Sequence, residues 1–229
     1  MLASNSRPRH SIKAYTKLGL HVYDPLIVNL VAPRVWGCDA DVLIDHYRKH
    51  VTPNHADLGV GTGFFLDRCG FEPRRLALID LQPNCLEYTA RRLSRYRPST
   101  YLRDVLDTVA EIPGGPFDSV ALGGIIHCLA GALPFKSRIF DNIRSLTRPG
   151  TRIFGYTLVH DGVRQRASRR LVHPLLNRLR VIDNANDRLG DLHQALATRF
   201  IDSNVELIGC MALFSAIVPS PTSSNSRFI

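Results

Sequence analysis

Asp57-Leu58-Gly59-Val60-Gly61-Thr62-Gly63 is the stretch on which the fold turns. It follows a short polar segment, opens into Phe64-Phe65-Leu66, and is answered seventeen residues after Gly63 by Asp80. Glycines at alternate positions let a backbone turn tightly from a strand into a helix and leave no side chain between that turn and a ligand. An acid at the end of the following strand is placed to hydrogen-bond a ribose diol, the logic of nucleotide-binding α/β folds. Taken alone, three glycines are also what an ordinary strand-to-helix turn contains.

The spacing separates two kinds of site. A dinucleotide fingerprint starting at Gly59 needs glycine at 64, where Phe64 stands. Gly-x-Gly-x-Gly behind an acid is the other arrangement, and Asp57 to Gly63 resembles the S-adenosylmethionine-binding motif of class I methyltransferases. The resemblance extends over about residues 55 to 160, and over 203 to 218 by topology. It implies that Asp57, Gly59, Gly61 and Gly63 form the donor loop and that Asp80, with Leu81, meets the ribose hydroxyls. Asp104 would accept from the adenine amino group beside the Val105 amide, and Leu122-Gly123-Gly124 would run along the methionine end. Leu146-Thr-Arg-Pro-Gly150 resembles the family's turn into the fifth strand, with Thr151 in place of a second glycine. Each acid alone is an ordinary strand-end residue or cap; their order and spacing carry the reading.

The rest of the chain alternates in the same sense. The pattern predicts strands at 55–58, 76–81, 100–103, 117–122 and 152–159, with helices at 62–69, 83–97 and 135–146 between them. Continuous apolar runs such as Leu76-Ala77-Leu78-Ile79 suit parallel strands buried on both faces. A helix at 188–200 and strand-like runs at 205–208 and 211–218 follow, the last two pairing as an antiparallel closing element. Upstream, 12–20 reads as a short helix broken by Tyr23-Asp24-Pro25. Leu26, Ile27, Leu30 and Val31 then fall at helical spacing, and a helix from Asp41 carries acids in its first turn. The expected fold is α/β: a doubly wound, mostly parallel seven-stranded sheet with an antiparallel closing strand and a helical N-terminal arm. Residues 1–10 and 219–229 read as tails, disordered and flexible. Residues 11–218 read as one methyltransferase domain, with 11–50 as lid or arm and 160–187 as a basic helical cap.

Catalytic candidates are fewer. A sulphonium needs no metal to become an electrophile, so the reaction calls for alignment and exclusion of water, with a general base helping a hydroxyl or carbon nucleophile. His127, five residues past Leu122, and His160, just past the fifth strand, are the candidates. A packing or capping role for either remains open at this point. Tyr23 lies in the arm that in this family folds over the cofactor. Cys128 has no charged partner identifiable from sequence.

Composition bounds the rest. The 229 residues are 45% apolar, with no apolar run near the roughly 20 residues of a spanning helix, and five dispersed cysteines without metal spacing. This reads as a reduced, cytoplasmic protein with no metal and no membrane contact, monomeric or homodimeric. The net charge is +9, and Arg164, Arg166, Arg169, Arg170, Arg178 and Arg180 crowd one stretch without an acid. Such a stretch is either a solvated helical face or a surface for anions, an acidic carrier protein or nucleic acid among them. No aromatic residue interrupts it for stacking, and Leu122-Gly-Gly-Ile125 stands where nucleic-acid amino-methylating members carry Asn/Asp-Pro-Pro-Tyr, so nucleic acid is disfavoured. Phe117-Asp-Ser-Val and His127-Cys-Leu-Ala-Gly resemble small stand-alone methyltransferases of microbial secondary metabolism. That implies a small-molecule acceptor, S-adenosylmethionine as donor and S-adenosylhomocysteine as product. Two alternatives stand beside it: a protein of the same fold using the bound sulphonium to promote cyclisation or rearrangement, and a basic module binding RNA or an acidic partner.

Overall fold

A computed structural model describes residues 16–160 and 167–220. Seven strands form one sheet: β1 (Asn54–Leu58), β2 (Arg75–Asp80), β3 (Ser99–Leu102), β4 (Ser119–Gly123), β5 (Arg152–Leu158), β6 (Ile201–Ile208) and β7 (Met211–Ile217), in the order β3-β2-β1-β4-β5-β7-β6. Pairings from β3 across to β5 are parallel; β7 runs antiparallel between β5 and β6, in register from Arg152–Ile217 to Leu158–Met211. The sheet is therefore the doubly wound, mostly parallel one that the alternating pattern predicts.

The alternation of side chains splits the core in two. Ala77, Ile79, Val120 and Leu122 face one layer, packed with Phe140 and Ile143, and with Leu192 and Leu196 of α8 (Leu189–Ala197). Leu76, Leu78, Ala121 and Phe154 face the other. There they meet Ile44 and Tyr47 of α2 (Ala40–His50), Leu66 of α3 (Phe64–Arg68), and Leu86 of α4 (Pro83–Arg92). Burial of such side chains on both faces is worth roughly 1.5–3 kcal/mol each and holds the strand ends in place. Asp41 opens α2, and Arg48 and Lys49 close it, each complementing the helix dipole.

Several boundaries differ from the sequence pattern. Tyr23-Asp24-Pro25 does not break the arm: α1 (Lys17–Tyr23) runs directly into a wide π-wound segment, Asp24–Trp36, because Tyr23 and Asp24 are both helical and Pro25 sits in the first turn. Gly37, at φ 73, ends it, its N–H reaching back to the Ala32 carbonyl. The helix expected over 83–97 stops at Arg92, and the chain turns through Ser94–Tyr96 to a left-handed Arg97. That expected over 135–146 is two short helices, α5 (Leu133–Lys136) and α6 (Ile139–Asn142), and one further turn. The last helix of the cap, α7 (Ala167–Arg178), precedes α8. Arg164 and Arg166, the expected tail at 1–10, and residues 221–229 of the expected tail at 219–229 lie outside the described residues.

Candidate active site

A cavity of about 250 Å³ opens at the carboxyl ends of β1 and β4, where the strand order reverses. This is the position at which open α/β sheets bind ligands. Asp57, Gly59, Gly61, Gly63, Asp80, Leu81, Asp104, Val105, Gly123, Tyr23 and His127 all line it. His160 does not: its ring stacks on His173 at 4.8 Å, and its backbone N–H donates to the Asp187 carbonyl at 2.8 Å.

The three loop glycines, all at positive φ, have different reasons. A Cβ on Gly59 would sit 2.7 Å from the Ile125 side chain, and one on Gly63 2.6 Å from the Thr89 methyl, so both permit packing. A Cβ on Gly61 would meet no heavy atom within 4 Å. It alone leaves backbone bare toward the cavity, while Thr89 Oγ1 braces it by donating to its carbonyl at 3.0 Å. Gly123 is needed for another approach, since a Cβ there would overlap the Tyr47 hydroxyl.

The acids come from one side of the switch point. The Asp80 carboxylate accepts from the Gln82 N–H at 2.7 Å and faces the amides of Gly61, Val60 and Leu81. Burial nevertheless lifts its pKa to about 6, against those amides. Asp57 is raised to about 8 by burial first and by Asp80 second, partly countered by its hydrogen bond with Tyr47. Tyr47, fully enclosed, is pushed well above the usual tyrosine range. Asp104 accepts from the Leu106 N–H at 2.9 Å, and Asn142 holds the Val105 carbonyl at 3.0 Å, which fixes the turn after β3.

The half toward β4, β5 and β7 is apolar. Trp36, Leu43, Phe65, Leu158, Ile182 and Met211 wall it, with Tyr156 and Cys128 among them. His127 Nδ1 accepts from the Leu158 N–H at 3.2 Å, so in the neutral ring the proton sits on Nε2. Burial, with Lys136 nearby, lowers its pKa to about 3. Cys128 donates its thiol proton to the Gly124 carbonyl at 3.5 Å.

Two polar assemblies that sequence reasoning missed fasten elements that line the cavity. On the arm, Asp24 accepts from Thr62 Oγ1 and from Arg92, each at 2.6 Å, and Arg92 also donates to the Thr62 carbonyl at 2.8 Å. On the cap, Lys136 and Asp187 are fully buried at 2.6 Å, and Lys136 also donates to the Asp183 carbonyl. Asn184 donates to the Leu158 carbonyl at 3.1 Å and pairs with His173 at 3.0 Å, while buried Arg169 donates to the Val159 carbonyl at 2.7 Å. Arg169 thus faces neither solvent nor an external anion, whereas Arg170, Arg178 and Arg180 are exposed. Nothing in the sequence distinguishes Arg169 from its neighbours; only its helical phase does. Among the described residues no group of three or more His, Cys, Asp or Glu is arranged to hold a metal ion, and no helix is long and apolar enough to cross a membrane.

A 3-2-1-4-5-7-6 sheet with a bare glycine loop and strand-end acids at its switch point defines a class I, Rossmann-like methyltransferase. No protein-family model matches the chain. Comparison with characterised proteins does place it. It is 33% identical over 205 residues to demethylluteothin O-methyltransferase from Streptomyces thioluteus, covering 88% of each chain. It is 30% identical over 212 residues to methyltransferase ctvB from Aspergillus terreus, covering 90% of this chain and 93% of that one. Among solved structures, PigF with SAH shares the fold, with a TM-score of 0.63 at 16% identity over 94% of this chain and 64% of that one. The chain belongs to the S-adenosylmethionine-dependent methyltransferases, with relatives in microbial secondary metabolism. The residues present fit that donor: Gly61 leaves the loop bare, and acids at three strand ends face the one cavity.

Proposed function

We propose that this enzyme methylates a heteroatom, with oxygen favoured, on a small organic acceptor of secondary metabolism. One observation carries the reading: the cavity has a polar donor half on β1–β3 and an apolar half walled by the arm, β4, β5 and the cap. An uncharged pocket of this kind fits a largely apolar molecule. S-adenosylmethionine supplies, when bound, a methyl already activated on a sulphonium. In this reading Asp80 with Leu81 holds the ribose hydroxyls, Asp104 and Val105 hold adenine, and Asp57 with the Gly59–Gly63 loop and Gly123 lies along the methionine portion. Tyr23, on the arm, covers them. Holding both partners in line while excluding water can lower the barrier by about 7–11 kcal/mol.

His127 serves here as a neutral hydrogen-bond donor, because its Nδ1 lone pair is taken by the Leu158 N–H. His160, outside the cavity, is assigned no chemical step. Titration calorimetry with S-adenosylmethionine tests the donor half. Wild type should bind, and Asp80→Ala should bind about tenfold or more weakly, the loss of a charge-assisted hydrogen-bond pair. Absence of binding by wild type, or of S-adenosylhomocysteine formation with every hydroxylated apolar acceptor, would sink the reading.

A further inference from the structure

Eleven large apolar side chains stand exposed among the described residues, and six of them fall on two helices. Val22, Leu26 and Leu30 lie on the arm, and Leu171, Leu175 and Leu179 on α7 and the turn that ends it. Each is 42% to 79% exposed. Within each set the residues are four apart, about one helical turn, so each set forms a stripe. The two helices are packed together: Ser168 Oγ donates to the Arg34 carbonyl at 3.0 Å, and Trp36 meets His173 edge-on at 6.2 Å. Residues lining the cavity adjoin both stripes. Ile27 and Val31 follow Leu26 and Leu30, and Leu176 follows Leu175. Single exposed leucines are ordinary on a protein surface; two stripes of them beside one cavity are not.

The charge exposed on these helices has one sign. Arg34 stands one turn beyond Leu30, Arg170 and Arg178 precede Leu171 and Leu179, and Arg180 follows; all four are exposed. From 16 to 38 the one acid is Asp24, buried and paired with Arg92, and from 167 to 182 there is none. We infer that this face seats on an anionic lipid surface. The six aliphatic side chains enter the boundary between headgroups and acyl chains, and the four arginines meet the lipid phosphates. Such a seat needs no spanning helix. The composition reading against membrane contact rests on the lack of a spanning run, so it does not bear on this face.

Other occupants fit less well. Two copies meeting through this face would set four arginines against four, with no exposed acid in either stretch to offset them. Protein interfaces are built on aromatic anchors, and no Phe, Tyr or Trp is exposed in these stretches. Leucine flanked by arginine suits a lipid boundary instead. Leucine gains from hydrocarbon, and the arginine stem lies along it while the guanidinium stays at the phosphates. The docking itself does not depend on methyl transfer. If the acceptor is apolar, as the proposed function has it, the seat also brings the cavity walls to the phase in which that acceptor concentrates.

The test is sedimentation of the full-length enzyme with vesicles of phosphatidylcholine alone, and of phosphatidylcholine and phosphatidylserine in equal parts. The enzyme should bind mixed vesicles about tenfold or more tightly than neutral ones. High salt should weaken that binding without abolishing it, since the apolar part is not screened. Leu171→Ser/Leu175→Ser/Leu179→Ser should lower affinity for mixed vesicles about tenfold or more, and Leu26→Ser/Leu30→Ser should lower it less. Arg170→Gln/Arg178→Gln should narrow the preference for mixed over neutral vesicles. All three variants should keep the wild-type melting temperature and S-adenosylmethionine affinity, because the side chains changed are exposed and off the cavity wall. No binding of wild type to mixed vesicles, or equal binding by wild type and the leucine variants, would overturn the inference. So would self-association in place of vesicle binding, lost in the leucine variants, which would make the occupant a second copy. Binding of polyglutamate in preference to mixed vesicles would assign the face to an acidic protein and overturn it equally. Failure of wild type to bind S-adenosylmethionine would instead strike the proposed function, with vesicle binding as the separate readout.

Discussion

The two walls that close the cavity are fastened by different physics. The arm meets the glycine loop through Asp24, Thr62 and Arg92, and its ion pair retains 21% and 11% side-chain exposure. The cap meets the sheet through Lys136–Asp187 at 0% exposure on both sides, with Asn184, His173 and Arg169 buried around it. A partly hydrated pair is worth little and is screened by salt. A buried pair is indispensable once built, because either charge left alone has no water to turn to. On the proposed reading, the arm should therefore act as a latch on the glycine loop, and the cap as a fixed wall shaping the apolar half.

Cutting the cap fastening gives the largest expected effect. Lys136→Met should destabilise the fold by about 3–5 kcal/mol, measured by denaturant unfolding, because Asp187 is left as an uncompensated buried charge. The double variant Lys136→Met/Asp187→Leu should recover most of that loss, since apolar replacement of a whole buried pair is often neutral. A single variant within about 1 kcal/mol of wild type would show that the cap does not depend on this pair.

The donor loop comes next. Gly61→Ala places a methyl where nothing else packs, so it should leave little mark beyond about 1 kcal/mol of strain at its positive φ. It should nonetheless weaken S-adenosylmethionine binding by about a hundredfold, because the bare backbone it covers is the proposed donor surface. Gly59→Ala and Gly63→Ala should do the reverse, losing stability through collision with Ile125 and Thr89. Paired melting and binding curves for the three variants separate the roles; equal behaviour of all three would refute the distinction.

How much of this was legible beforehand follows from the range of the interactions. The succession of strands and helices, the glycine loop and the acids at 57, 80 and 104 depend on local turns and apolar runs, which a sequence displays directly. Tyr47 escaped notice because its partners, Asp57 and Gly123, lie on strands that the chain reaches only later. Asp24 looked like part of a helix break; its partners are 38 and 68 residues away. Arg169 read as one of a run of cations on a solvated face or an anion-binding surface, since composition shows charge and not helical phase. His127 was legible as a position, while its tautomer is set by the backbone of β5, thirty-one residues on.

Releasing the latch should cost less than either of the preceding changes. Asp24→Asn removes the charge that Arg92 meets but leaves an acceptor for Thr62, so stability should fall by about 1 kcal/mol or less. If the arm reports on the donor loop, S-adenosylmethionine affinity should fall about three- to tenfold, with acceptor KM moved less than donor Kd. High salt should reproduce part of the effect in wild type and none of it in the variant. An acceptor KM that moved more than the donor Kd would reverse the assignment of arm to donor and cap to acceptor.

The smallest effect is a proton count. Asp57 and Asp80 have pKa values raised to about 8 and about 6 by burial, far above the unfolded carboxylate value. The folded enzyme therefore holds protons there that the unfolded chain has lost, and this contribution to stability fades as pH rises from about 4 through about 8. A cation bound beside these carboxylates favours their ionised form, so binding of S-adenosylmethionine should expel up to about one proton near neutrality, chiefly from Asp57. Affinity should accordingly rise with pH across about 6 to 8. Calorimetry in buffers of different ionisation heat measures the release directly. His127, lowered to about 3, is neutral throughout that window and contributes nothing to it. The release should therefore persist in His127→Gln and shrink in Asp57→Asn. Proton release that disappeared with His127 instead would place the titrating group on the acceptor side and undo the division of the cavity into an ionisable half and an inert one.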